Sequence, residues 1–235
     1  LWYYPDVNLS DYINQMKQFL ADGRQDELFT MLSDVQRRLA AKGMTQDKKY
    51  WTWLQKNIAE PAFLNLVLKP AGIDLISNPN QFGVDYLSPS GTAVEDLKFQ
   101  AAPFFTANKV YTFSLNFDDM KYDPKTIVNL YHHRTPGMEW TVRYRSGVKK
   151  EIYDGPPMNV ICRVPVSDVL RKIDSEELTP QEYKDRTDDF SGNEKRYYRV
   201  NIRWFPIWRR RVAGQWVESA WTEEETEELK PPIED

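Results

Sequence analysis

The sequence predicts an α+β protein in which amphipathic helices come first and a mostly antiparallel sheet follows. Three observations predict it. Apolar residues recur at spacings of three and four through Ile58, period-two alternation takes over from Val110, and turn-forming Asn, Pro, Gly and Ser gather between the two. The expected architecture is an N-terminal three-helix amphipathic bundle packed on or beside a sheet of five or six strands. It divides into a helical lobe over 1–75, an α+β domain over 76–222 and an acidic C-terminal tail over 223–235.

Leu9, Tyr12, Ile13, Met16, Phe19 and Leu20 line one face of the first helix. Asn8 suits its cap, Asp11 its first turn, and Gly23 its end, because glycine takes the left-handed conformation that closes a helix. Leu28, Leu32, Val35 and Leu39 form the stripe of a second helix, with Arg37, Arg38 and Lys42 near its C-terminus and Gly43 beyond. Thr45 caps a third helix through Tyr50, Trp51, Trp53, Leu54 and Ile58, which Pro61 closes or kinks. Trp51 and Trp53 point in different directions on a helix, so one of them is a candidate exposed anchor for a partner. Asn, Pro, Gly and Ser between Ser77 and Ser90 then read as a loop with a short strand over 83–87.

Val110 to Phe117 alternates as a half-buried strand that Asp118 and Asp119 end. Asp123-Pro124 has the form of a helix entry, so 125–132 is expected to be a short helix. Glu139 to Arg145 and Val148 to Tyr153 form a hairpin about Ser146-Gly147, and Val160, Cys162 and Val164 share a strand face. Ser167 caps a helix over 168–173, and Thr179-Pro180-Gln181-Glu182 has a capping box that opens another. Tyr198, Val200, Ile202 and Trp204 should face inward on a last long strand, opposite Arg199, Asn201 and Arg203. Pro206 interrupts that strand, and a closing hairpin follows over 208–220.

The net charge of -4 gives no global attraction to nucleic acid or anionic lipid. The average hides a segregation, because Lys195 to Arg211 carries seven positive charges, no negative one and five aromatics, whereas Glu218 to Asp235 carries eight acids against Lys230 alone. The candidate binding face gathers Arg143, Arg145, Arg199 and Arg203, with Tyr197, Phe205 and Trp208 available to stack on a ligand. The simpler expectation is that strand arginines cover apolar surface with their stems, and that the tail glutamates compete for them.

Catalytic chemistry is thinly represented. Asp118, Asp119, Asp123 and Glu139 are the carboxylates that a glycoside hydrolase would pair, although acids at strand ends serve chiefly as turn and cap residues. His132 and His133 are the only histidines and have no metal-ligand spacing, and Cys162 sits mid-strand among apolar neighbours as a structural thiol. The glycines assemble into no phosphate-binding loop, and no metal or cofactor is expected. One cysteine permits no intrachain disulfide, and no apolar run reaches the roughly 20 residues that span a bilayer. The cytoplasm is favoured over export, and removal of an upstream targeting segment stays open because the chain starts at Leu1. The expected function is a non-enzymatic protein-binding or assembly component, with a protein partner or a second copy of the chain. The alternatives are a single-stranded nucleic-acid-binding protein through the same face and a carboxylate-dependent glycoside hydrolase.

Overall fold

A computed structural model describes residues 9–41, 52–80, 84–100, 112–116, 123–134, 136, 139–144, 147–152, 158–175, 181–182, 196–223 and 225. Helices α1 (Leu9–Ala21) and α2 (Gln25–Ala41) form where the apolar stripes place them. Gly23, at φ +70°, makes the turn between them. Met16, Phe19, Leu28, Leu32 and Val35 of the two stripes are buried. A further helical stretch over 52–71, here α3, runs through Pro61 rather than ending at it.

The continuation past Pro61 has a backbone cause. Proline removes one helical donor and its ring crowds the preceding turn. In α3 each of Pro61 and Pro70 follows by two residues a wide π segment, Gln55–Ala59 and Leu64–Leu68 respectively. Each proline then occupies the first turn of a new segment, Glu60–Phe63 or Lys69–Ala71, where a missing amide hydrogen costs least. Gly72, at φ +79°, ends the stretch.

The principal sheet has seven strands in the order β1-β2-β3-β5-β8-β11-β12. These are β1 (Ile76–Ser77), β2 (Tyr86–Leu87), β3 (Ala93–Gln100), β5 (Ile127–Arg134), β8 (Met158–Pro165), β11 (Arg209–Val212) and β12 (Gln215–Val217). All neighbours are antiparallel except β3 and β5, which pair in parallel. A three-stranded sheet joins β4 (Thr112–Asn116), β10 (Arg196–Asn201) and β9 (Gln181–Glu182), and β6 (Glu139–Tyr144) pairs with β7 (Gly147–Ile152) as the expected hairpin. Helix α4 (Val166–Asp174) follows β8 directly.

Four expectations need correction. The segment expected as a short helix over 125–132 is instead the central strand β5: the Oδ1 of Asp123 accepts the Lys125 amide at 2.8 Å, making a turn, and β-branched Thr126, Ile127 and Val128 enter the sheet. Gln181–Glu182, expected in a capped helix, pairs as β9 with Arg196 and Tyr197. The last long strand stops at Asn201, whose Oδ1 accepts the Arg203 amide at 3.0 Å and opens a 3-10 turn over Ile202–Trp204. The principal sheet also exceeds the expected five or six strands, because β3 and the two-residue β1 carry too little alternation to be read locally.

Both faces of the sheet are covered. On one face Leu97, Phe99, Tyr131 and Ile161 join residues of α1, α2 and α3 in a single cluster that includes Phe29, Phe63 and Leu68. On the other, Val128, Leu130, Val160, Cys162 and Val164 pack against Val166 and Val169 of α4 and against Val200, Ile202, Phe205 and Ile207. Strands β5 and β8 consequently bury side chains on both sides, as central strands do. Phe29 lies at the centre of the helix-side cluster, with ring centroids 4.8 Å from Tyr131 and 5.3 Å from Phe99. Phe29→Ala is expected to lower the unfolding free energy by about 3–5 kcal/mol through the cavity it leaves. Urea unfolding followed by circular dichroism measures it.

Candidate functional site

The cationic segment is organised by the β11–β12 hairpin. Arg209 pairs with Ile161 of β8, which sets Arg209 toward the helical layer, and Arg210 pairs with Val160 and points to the opposite face. The Trp208 amide donates to the Ile161 carbonyl at 2.8 Å, and its half-buried ring lies between the guanidinium groups of Arg163 and Arg209, at 5.0 and 5.2 Å. Arg211 covers the Trp216 ring at 5.6 Å, and Arg210 the Trp221 ring at 5.9 Å. Arginine and tryptophan thus alternate along the end of the sheet, each ring receiving a cation on its face.

Each of these cations also has a carboxylate. Arg209 bonds Glu218 at 3.1 Å, and Arg210 makes a two-pronged contact to Glu225 at 2.8 and 2.9 Å. Arg211 reaches Asp26, in the first turn of α2, at 2.5 and 3.2 Å. Trp216 donates from its indole nitrogen to the neighbouring Gln25 at 3.2 Å. Burial alone would raise the Glu225 carboxyl, but hydrogen bonds from Arg210 and the Thr222 amide outweigh it and hold Glu225 below the ordinary carboxylate range. The tail therefore competes for the arginines as expected, through Glu225, while Glu218 does so from just before it.

The binding residues singled out by sequence fall into different places. Arg203 and Phe205 are buried, so neither offers an open face to a base or a phosphate. Trp204, expected inward, is exposed because the 3-10 turn rotates it outward, and Lys172 of α4 lies 5.7 Å from its ring. Trp208 is engaged by its two arginines. Arg143 stands on β6 and Arg199 and Tyr197 on β10, and for these three the structure describes the strand position only. Strand β10 pairs with β4 and β9, whereas β6 pairs with β7, so no ladder among the described residues joins Arg143 to Arg199. Trp53 is exposed on α3, and Trp51 and Arg145 lie outside the described residues.

Of the candidate catalytic acids, Asp123 is an exposed turn residue, Glu139 begins β6, and Asp118 and Asp119 lie outside the described residues. The carboxyls that the fold does bring together were not singled out by sequence. Glu95 of β3 is buried against Arg163 of β8, and Asn129 of the intervening β5 donates to Glu95 at 2.8 Å and to the Asp96 carbonyl at 3.2 Å. Beside it, Glu60 of α3, Asp85 and Asp96 form a second group with Lys56 and Lys98. The only local signal is Glu95-Asp96 inside Ala93–Gln100, where two adjacent acids cut short the alternation of Leu97 and Phe99.

His133 is buried between two hydroxyls, 3.2 Å from Thr30 and 3.2 Å from Tyr131. Burial, assisted by the Arg211 charge, pushes its imidazole down to about 3, so it is neutral in the folded protein. Cys162 is buried with its Sγ 3.7 Å from the carbonyls of Ile202 and Phe205, and burial pushes its thiol up, as a structural thiol requires. Among the described residues no group of three or more His, Cys, Asp or Glu is placed to hold a metal ion, and no helix is long and apolar enough to cross a membrane.

Comparison of the chain with protein-family models, with curated proteins and with solved structures found no match.

Removing one partner of a buried ion pair leaves the other charge uncompensated. Glu95→Gln is therefore expected to destabilise the fold by about 3 kcal/mol, while Glu95→Leu combined with Arg163→Met recovers most of that loss in chemical denaturation. His133 gives a pH signature. Its folded value lies below the ordinary 6.5, so the stability it contributes is present above that value and is lost as pH falls toward about 3. His133→Gln is expected to flatten the acid limb of a stability profile in that window, as read by thermal unfolding at successive pH values.

Proposed function

We propose that this chain is a non-enzymatic binding or assembly component whose contact surface is the β11–β12 hairpin at the end of the principal sheet. The observation that carries the reading is that Val212, opposite Gln215, and Val217, opposite Arg210, lie diagonally on one face of that hairpin and are exposed by 51% and 38%. Apolar side chains at the tip of a hairpin whose arginines are already neutralised suit a protein partner. Protein interfaces are enriched in Arg and Trp with charge excluded from the centre, and a nucleic-acid site needs cations free to replace counterions. The two-residue turn at Ala213 and Gly214, with φ +48° and +79°, fixes the tip in the tight form that matches strand twist. Strand β12 is terminal in the sheet order, so its outer edge is the place for an added strand from a protein partner or from a second copy.

The same reading treats the helical front as a three-helix bundle that backs the sheet, with Trp53, exposed by 39%, as a secondary contact. Single-stranded nucleic acid through this face draws less support, because Asp26, Glu218 and Glu225 occupy the described arginines of the hairpin. A carboxylate-dependent hydrolase draws less still, since Asp123 spends its Oδ1 on its own turn.

The test is a photo-crosslinking residue placed at Val217 in the full chain, with the exposed Lys125 as control position. A discrete adduct from Val217, lost when Val212→Asp is added, is the expected outcome. Equal adduct yield from the two positions would remove the hairpin as the contact surface. Retention of the unmodified protein on a single-stranded oligonucleotide at low salt would favour the nucleic-acid reading instead.

A further inference from the structure

The face of the β11–β12 hairpin that carries Arg210 also carries its cross-strand partner Val217, with Val212 two positions along β11. Beyond Val217 the chain leaves the sheet and returns to this face through Trp221 and Glu225. The Trp221 indole nitrogen donates to the Phe205 carbonyl at 2.8 Å, and its ring packs against the cluster that holds Val200, Phe205 and Ile207. Four residues on, Glu225 accepts from both terminal nitrogens of Arg210, at 2.9 and 2.8 Å. Arg210 is aimed by its Nε, which donates to the Ser219 hydroxyl at 3.1 Å, and its guanidinium lies 5.9 Å from the Trp221 ring.

An aromatic anchor followed by a carboxylate in a guanidinium fork is how a short peptide seats on a receptor. The segment brings its own geometry. The Thr222 amide donates to Glu225 Oε2 at 2.8 Å and the Glu225 amide donates to the Thr222 hydroxyl at 3.2 Å, a reciprocal cap that presents the carboxylate to Arg210. The Arg210 and Glu225 side chains are exposed by only 16% and 15%, so the departure of Glu225 would strand a shielded cation. Whatever replaces Glu225 there must therefore supply a carboxylate of its own.

Two features make the occupant exchangeable. Residues 218–222 belong to no helix or strand, and both anchors are side-chain contacts, so the segment can depart without breaking a strand ladder. Glu223, Glu224, Glu225, Glu227 and Glu228 follow one another closely, so like charges repel along the segment while Arg210 grips one of them. The rest of the chain attracts a sequence of this kind from elsewhere as well. Of the 31 Lys and Arg and 35 Asp and Glu, residues 218–235 hold one and eight respectively, which leaves residues 1–217 with a positive excess.

We propose that this face is a docking site for an acidic peptide segment of a protein partner, with an aromatic residue four positions ahead of a carboxylate, and that Trp221–Glu225 is a tethered competitor that fills the site until the partner displaces it. The partner's ring takes the place beside the Phe205 carbonyl, its carboxylate takes Arg210, and the exposed Val212 and Val217 extend the contact. Docking here rests on the hairpin being the contact surface, and it names the chemistry of what that surface receives. A tethered competitor lowers a partner's apparent affinity by the fraction of time that the site stands open, so weakening the tail contact strengthens docking.

The probe is a fluorescein-labelled peptide of residues 220–228, titrated with the full chain and followed by fluorescence anisotropy. It is expected to bind the Glu225→Ala chain about tenfold more tightly than the wild-type chain, because the built-in carboxylate no longer occupies Arg210. Thr222→Ala, which takes one bond from the cap, is a milder chain variant with the same expected direction. Placing Glu225→Ala or Trp221→Ala in the peptide alone leaves the folding of the receptor untouched, and each is expected to weaken binding by about tenfold or more. Equal affinity for the wild-type and Glu225→Ala chains overturns the competitor. Absence of binding to the Glu225→Ala chain overturns the docking site, as does equal binding of a scrambled peptide of the same composition. A photo-crosslinking residue at Val217 separates the two failures: a discrete adduct without peptide binding removes the docking site and leaves the hairpin as the contact surface, whereas loss of both removes both.

Discussion

The principal sheet is covered on both faces, and that constraint governs every polar side chain on its central strands. The carboxyls of Glu95 and Asp96 on β3 are shielded from solvent, while their partners Arg163 and Lys98 keep partial exposure, and an unpaired buried ion there costs several kcal/mol. Glu95 and Arg163 meet this constraint from strands that are not neighbours, with Asn129 of β5 between them donating to Glu95. His133 meets it by staying neutral between two hydroxyls. The aromatic residues follow the same logic: Phe29, Phe63, Phe99 and Tyr131 gather where the helical layer and the sheet close on each other, with Tyr131 also 5.7 Å from Trp216.

How much of this was legible in the sequence depended on whether an element's environment was local. Helices α1 and α2, the β6–β7 and β11–β12 hairpins, strand β4 and the burial of Cys162 were readable, because stripe, turn and alternation each lie within a few residues. Strand β5 was not, since Asp123-Pro124 is as good an opening for a helix as for a turn, and the choice was made by pairing with β3 and β8 on either side. Strand β3 was hidden by Glu95 and Asp96, whose counterions Arg163 and Lys98 include one from a strand laid down much later. Helix α3 continues past Pro61, one of the two outcomes the sequence left open there, because the π segment before the proline reset the backbone.

The segment from Lys195 to Arg211 shows how composition can be right and its meaning still undetermined. Its arginines and aromatics do come together, but as stacked pairs closed off by the protein's own acids rather than as an open cationic sheet face. Glu218 and Glu225 are nearby in sequence and were visible as competitors. Asp26 stands 185 residues away from Arg211, at the start of a helix whose docking site could not be read from either segment. Arg203 illustrates the complementary failure: alternation placed it outward, and one hydrogen bond from its amide to Asn201 turned the chain and buried it.

Charge is also divided along the sheet order. Carboxyls accumulate at the β1–β2–β3 end, where α3 brings Lys56 and Glu60, and guanidinium groups accumulate at the β8–β11–β12 end, where α2 brings Asp26. The helical layer is therefore fastened to the sheet by polar contacts at two separate ends, with the aromatic cluster between them. Such an arrangement lets the ends differ in stability. Polar ties at a short edge strand open at lower cost than the buried rings in the middle, since local opening follows the number of apolar contacts that must be given up.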